Sequence, residues 1–208
     1  MNNYEYIIAG LPDITTGWKF GEKGPQDYIE EIISLCSEKD KELIGFLLEG
    51  YKDENLDAGF YAKALTHTDR FISGYFKFDL NVRNAKVGYL NKALGRPSGK
   101  DMLVFPEDAP QAVLDAAAEE FEEAADIETV LNSGDILSRE RGIDDLFWEK
   151  ISSLTTFNYF DIDAIMGFIA KMNIVARWFK LDEQTGREMF KKLVDEVRGT
   201  FKGVEYNG

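Results

Sequence analysis

The chain has 208 residues, 44% of them hydrophobic and 13% aromatic, with 24 basic against 38 acidic side chains and a formal net charge of −14. That length suits one or two domains with a sizeable core, and the apolar fraction excludes an intrinsically disordered chain. The acidity argues against nucleic-acid binding, which needs clustered Lys and Arg, and against adhesion to anionic lipid. It fits a basic protein partner, whose complementary field would speed encounter, or plain solubility. The single Cys36 permits no internal disulfide and predicts a reducing compartment. No apolar run nears the ~18–20 residues that cross a bilayer, and the N-terminus lacks the basic-then-apolar order of a signal peptide. The chain therefore reads as soluble and cytoplasmic.

Residues 3–11 are a short strand or the first turns of a helix, broken at Pro12-Asp13, and residues 14–24, with three glycines and Trp18, read as a loop. Pro25 fits the first turn of a helix along which Tyr28, Ile29, Ile32, Ile33, Leu35 and Cys36 recur, making Cys36 a small core residue and not a nucleophile. After a charged break near residues 38–41, Leu43, Phe46 and Leu47 extend the pattern to Gly50. A long helical stretch follows over about 55–94, kinked or divided near Ser73-Gly74, and Gly95-Arg96-Pro97-Ser98-Gly99 ends it. Met102-Leu103-Val104-Phe105 tucks the next loop against the core. Pro110 opens a helix carrying Val113, Leu114, Phe121 and Leu131, sharply acidic through residues 119–123 and closed by Asn132-Ser133-Gly134-Asp135.

A helix over about 138–153 carries Leu146, Phe147 and Trp148. Asp161 and Asp163 open the next, where acidic residues suit the helix dipole, and Ile162, Ile165, Met166, Ile169, Met172, Ala176 and Phe179 form its apolar face. Asp182 caps a last helix through Phe190, Leu193 and Val197. The periodicity predicts an all-α multi-helix bundle: an N-terminal segment over 1–24 and two helical units over 25–110 and 111–208.

Familiar chemistry is hard to place on this pattern. Gly95–Lys100 imitates a phosphate loop, but only three residues separate Gly95 and Gly99, Asp101 stands where Ser or Thr is needed, and a helix precedes it in place of a strand. The acidic run Glu119, Glu120, Glu122, Glu123, Asp126 and Glu128 reads as a solvated face. Helical di-iron bundles need Glu-x-x-His motifs, and the one histidine, His67, has Ala64 three residues before it. His67 also lacks a Cys or Ser constellation for nucleophilic catalysis. The chain is therefore expected to be no enzyme, with no catalytic, cofactor-binding or metal site.

One phrase stands out because it is written twice. Phe78-Asp79-Leu80-Asn81-Val82-Arg83-Asn84-Ala85-Lys86 and Phe168-Ile169-Ala170-Lys171-Met172-Asn173-Ile174-Val175-Ala176-Arg177 each set an Asn inside a helical apolar pattern, with a basic residue after it. Asn competes for backbone groups and is a poor helix-interior residue, so its placement asks for a reason. Asn81 and Asn84 share one helix face, as do Asn173 and Arg177, with Asn91 seven residues beyond Asn84. Such residues either bridge neighbouring helices or line a socket for another protein of an assembly. The candidate site residues are Asp79, Asn81, Asn84, Lys86, Asn173 and Arg177.

Asp79, Asn84 and Lys86, in the spacing Asp-x-x-x-x-Asn-x-Lys and followed by Leu94-Gly95-Arg96, resemble the helical repeats of the C/d-type central-stalk subunit of V/A-type ATPases. Asn173 with Arg177 is a looser second match, Leu181-Asp182-Glu183 is similar to the family's C-terminal region, and Tyr4-x-Tyr6-x-x-Ala9 to its opening. The family has three helical units and two are visible here, so the likeness is to a shortened bacterial protein of this kind. The resemblance implies a non-catalytic connector in ion and proton transport. It would join the central-shaft subunits to the membrane rotor ring, held at the membrane through protein partners. The competing readings are a free-standing acidic module that recruits another protein through Phe147-Trp148 or the 119–128 face, and an enzyme built on paired carboxylates.

Overall fold

Helix ends follow the local chemistry throughout the structure, a computed structural model that describes residues 4–180. The ambiguous N-terminal segment is a helix, α1 (Glu5–Ala9), and α2 (Pro25–Leu35) starts at its proline, with the Gly24 N–H donating to Asp27. Ser37 caps α3 (Glu38–Glu49), a 3-10 turn follows over Asp53–Asn55, and Asp57 caps α4 (Ala58–Leu65). Asp69 caps α5 (Arg70–Ala93). Then come α6 (Gln111–Ala118), α7 (Ala124–Leu131), α8 (Ile136–Leu154) capped by Asp135, and α9 (Ile162–Lys180). At the head of α9 the Asp161 carboxylate accepts from the Ala164 N–H at 3.2 Å. Every regular element among the described residues is helical, as the periodicity predicts. The helix expected from Asp182, and the likeness at Leu181-Asp182-Glu183, lie outside the described residues, as does Asn3.

Three boundaries differ from expectation. The charged run 38–41 is the first turn of α3 and not a break, because Ser37 caps it. The long stretch divides at 66–69, where Asp69 caps a new helix, and not at Ser73-Gly74. Gly74 lies inside α5 as a contact point: a Cβ there would stand 2.7 Å from Leu154 Cδ2. The helix expected from Pro110 to Leu131 is two, α6 and α7, parted at 119–123. There Glu119 pairs with Lys77 and Glu123 with Lys150, at 2.5 Å for the second.

Two apolar clusters form the core. The larger gathers Ile32, Ile44, Leu47, Tyr61, Phe76 and Met166, with Cys36 at its edge. The smaller joins Phe78 and Val82 to Ile127, Leu131 and Ile143. Full burial of each such side chain contributes about 1.5–3 kcal/mol. α5 supplies both clusters and packs on α4, α7, α8 and α9. Phe147 and Trp148, expected as a recruiting surface, instead pack against the core, and of residues 102–105 Leu103 and Phe105 do so while Val104 is exposed.

Asn84 explains how that loop is held. Its amide donates to the Leu103 carbonyl and accepts from the Leu103 N–H, both at 2.9 Å, so one side chain satisfies both backbone polar groups of a residue. Asn84→Ala is expected to cost about 1–3 kcal/mol by urea unfolding and to speed amide exchange at Leu103. Asn81→Ala, which breaks no such pair, should stay within about 0.5 kcal/mol.

Where α5 and α9 begin, Asp69, Asp161 and Asp163 come together. Burial first, then the Asp69 and Asp161 charges, push the Asp163 carboxyl from 3.8 up to about 6, against Arg70. A folded pKa above the unfolded one means the folded state holds the proton more tightly, so this site favours folding in acid and loses that advantage as pH rises through 6. Asp163→Asn is accordingly expected to raise Tm by a few degrees at pH 7.5 and to change nothing at pH 3.5, read from parallel thermal melts.

Candidate functional site

α5 presents Tyr75, Asp79 and Arg83 at successive i,i+4 positions, so the three lie along one stripe. Asp79 accepts from Arg83 Nε at 2.9 Å and from the Tyr61 hydroxyl of α4. Burial pushes the Asp79 carboxyl up, more than Arg83 and the Tyr61 bond pull it down. On the facing wall α8 offers Asp144, which accepts from Arg177 and from Trp178 Nε1 of α9. Burial raises the Asp144 carboxyl too, against the bonds from Arg177 and Trp178. The two trios, Tyr61–Asp79–Arg83 and Trp178–Asp144–Arg177, play the same part: an aromatic donor and an arginine share one sequestered carboxylate.

Both trios open on a single cleft of about 500 Å³ between α5, α8, α9 and the Gly50–Asp53 turn. Its floor is aromatic, with Tyr75 5.8 Å from Phe147 and 6.2 Å from Tyr51, ring centre to ring centre. Burial, then the charges of Asp79 and Asp144 among others, push the Tyr75 phenol up, which places that hydroxyl in the field of both carboxylates. The Tyr51 hydroxyl is buried against that of Tyr75, and burial, then its interaction with Tyr75, pushes its phenol up. The arginines stand at the rim, with 42% of the Arg83 and 48% of the Arg177 side chain exposed.

Three of the six residues singled out from sequence therefore meet here: Asp79, Asn173 and Arg177. The other three do not. Asn84 holds Leu103, Lys86 pairs with Glu140 of α8 at 2.8 Å, and Asn81 lines a separate groove with Lys77, Lys150 and the 119–123 segment. The interior placement expected for both asparagines holds for Asn84 and for Asn91, which is buried and donates to the Lys100 carbonyl at 2.6 Å. Asn173 is instead exposed, on the cleft side of α9.

Sequence reasoning missed Arg83 and Asp144. A signal for the first was present in another register: Asp79-Leu80-x-Val82-Arg83 and Asn173-Ile174-x-Ala176-Arg177 share one pattern, an Asp or Asn, an aliphatic pair and an arginine four residues on. In the second copy Asn replaces Asp, and Asp144 supplies the missing carboxylate from α8. Nothing in the sequence near Asp144 announces that role. Among the described residues no group of three His, Cys, Asp or Glu is placed to hold a metal ion. His67 Nδ1 accepts the Asp69 N–H at 3.0 Å.

Arg177→Gln tests the electrostatics. It leaves the Asp144 carboxylate facing Trp178 without its cation, at an expected cost of about 1–2 kcal/mol at pH 7, modest because the arginine is half exposed. Without the cation the folded Asp144 pKa rises further, so the deficit should shrink as pH falls toward 4, as measured by urea unfolding across pH.

No curated protein and no solved structure matches the chain. Residues 51–200 match the profile of a family described as "Protein of unknown function (DUF2764)", a span that contains both trios and both arginines of the cleft. Since that span is well over half of the 208 residues, the chain belongs to the DUF2764 family.

Proposed function

We propose that this protein is a non-catalytic connector of the kind its α5 phrase resembles: a C/d-type stalk element that joins the central shaft of a V-type ATPase to the membrane rotor ring and so serves ion transport. It would sit in the cytoplasm, at the membrane only through its partners. No described helix is long and apolar enough to cross a membrane.

The supporting observation is what the resembling residues do. Asp79, Asn84 and Lys86 each bond to another part of the chain, Tyr61, Leu103 and Glu140, so the phrase ties one long helix to its neighbours at three levels. An adaptor that passes torque needs such a body, close-packed and of low compressibility. The surface suits partner contact as well. At the α8–α9 corner Phe157 and Tyr159 are 86% and 66% exposed, with Phe160 beside them, and large exposed aromatics mark sites that other proteins cover. The net charge of −14 fits basic faces on a shaft.

Purified shaft subunits mixed with the protein are expected to give a complex at low ionic strength that weakens as salt is added. The double variant Phe157→Ser, Tyr159→Ser should lower its affinity about tenfold or more without moving Tm, since neither ring is in the core. Failure to associate at low ionic strength would remove the connector reading.

A further inference from the structure

The cleft between the two trios holds more hydrogen-bond donors than the protein uses. A guanidinium carries five N–H groups. Arg83 directs Nε to Asp79 and one Nη2 hydrogen across 3.4 Å to the highly exposed Asp53, while Arg177 directs Nη2 to Asp144. The Asn173 amide makes no hydrogen bond within the described residues, and the Tyr51 hydroxyl is buried against that of Tyr75. The two buried carboxylates are largely committed: both oxygens of Asp144 are engaged, and Asp79 Oδ2 takes Tyr61 and Arg83 together. A molecule that brings acceptors can therefore use the guanidinium N–H groups left over.

Charge is shared at the mouth. Arg83 and Arg177 stand nearer solvent than the Asp79 and Asp144 carboxylates they pair with, and Asp53, 90% exposed, lies 3.4 Å from Arg83 as the acceptor an entering anion would displace. The acidity of the chain as a whole is screened beyond about 8 Å at physiological salt and does not decide what happens at this mouth. The trios also have the form of an oriented site. A buried carboxylate is costly to desolvate, and apolar residues of equal volume commonly replace such a pair with no loss of stability. Two on one cleft, each backed by an aromatic donor and each turning a guanidinium toward the opening, make sense as supports for the arginines, whose planar fork suits carboxylate and phosphate.

We propose that the cleft binds a small oxyanion, a carboxylate or phosphate group held by Arg83 and Arg177, with the Asn173 amide completing its shell. A volume of about 500 Å³ lies in the ~300–1,000 Å³ range of small-molecule sites, so the group belongs to a metabolite-sized molecule. Asp79 and Asp144, already held above the ordinary carboxylate range by burial, rise further beside a bound anion. Binding thus takes up protons and tightens as pH falls. This inference is independent of the connector reading and uses the isolated chain.

The test is calorimetric titration and thermal unfolding with inorganic phosphate and with succinate, each against sodium chloride of equal ionic strength. One-to-one saturable binding and a rise in Tm are expected. Asn173→Asp places a carboxylate at an exposed position, so the protein should fold as before and bind about tenfold more weakly or worse. Arg83→Lys keeps the charge near Asp79 and loses the fork, and should weaken binding with the Asp79 pair retained. Saturation by phosphate alone or by succinate alone supports the site and names the group it prefers. No saturable binding of either anion, or an Asn173→Asp variant that binds as the parent does, would overturn it.

Discussion

The 24-residue helix α5, about 36 Å long, lends one side to each of the two apolar clusters, and most of the polar residues between them are half-buried in consequence. A polar side chain in that position has to find its partner inside the protein. Asp79 takes Tyr61 and Arg83, Asn84 takes the Leu103 backbone, and Asn91 takes the Lys100 carbonyl. Each bond also fixes a different neighbour: α4, the loop before α6, and the turn that ends α5 itself. Asp79 and the two asparagines that look misplaced in a helix are therefore the means by which one helix positions three unlike pieces of chain. Apolar contacts alone would leave their register less defined, because dispersion and hydrophobic burial have no direction.

That logic also sets what can be read from sequence. The helices are legible because each carries its own apolar period, and Pro25 and Asp161 mark the starts of theirs without help from the rest of the fold. Breaks that depend on tertiary contact are not. Gly74 reads as a helix breaker until Leu154 is seen lying on it, and the parting of α6 from α7 rests on lysines from α5 and α8 that clasp residues 119–123. Asn84 stands out for its unlikely place in an apolar pattern, and it does bridge to a neighbour. Asn173 stands out by the same rule but is exposed, because helical spacing alone does not say which helix face a neighbour covers. The cleft is the least legible feature. Its parts come from residues 51, 79–83, 144 and 173–177, and spacing shows only the pairs that lie within one helix. Asp144 looks like any acidic residue on an amphipathic helix until Arg177 and Trp178 converge on it.

The cleft and the rigid body are connected by geometry. Arg83 belongs to α5 and Arg177 to α9, while Asp144 belongs to α8, so a ligand held by both arginines would bridge three helices that otherwise meet mainly through apolar side chains. Binding to the folded state alone adds RT ln(1 + [L]/Kd) to stability, about 2.7 kcal/mol at a hundredfold excess over Kd. That is comparable to the contribution of one fully buried large side chain, and it would act at a seam where two carboxylates are held at the cost of desolvation. The same arrangement accounts for why the carboxylates persist. They orient arginines that keep outer N–H groups to spare beyond the one long bond to Asp53. An oxyanion there would engage those groups and add a polar link between α5 and α9.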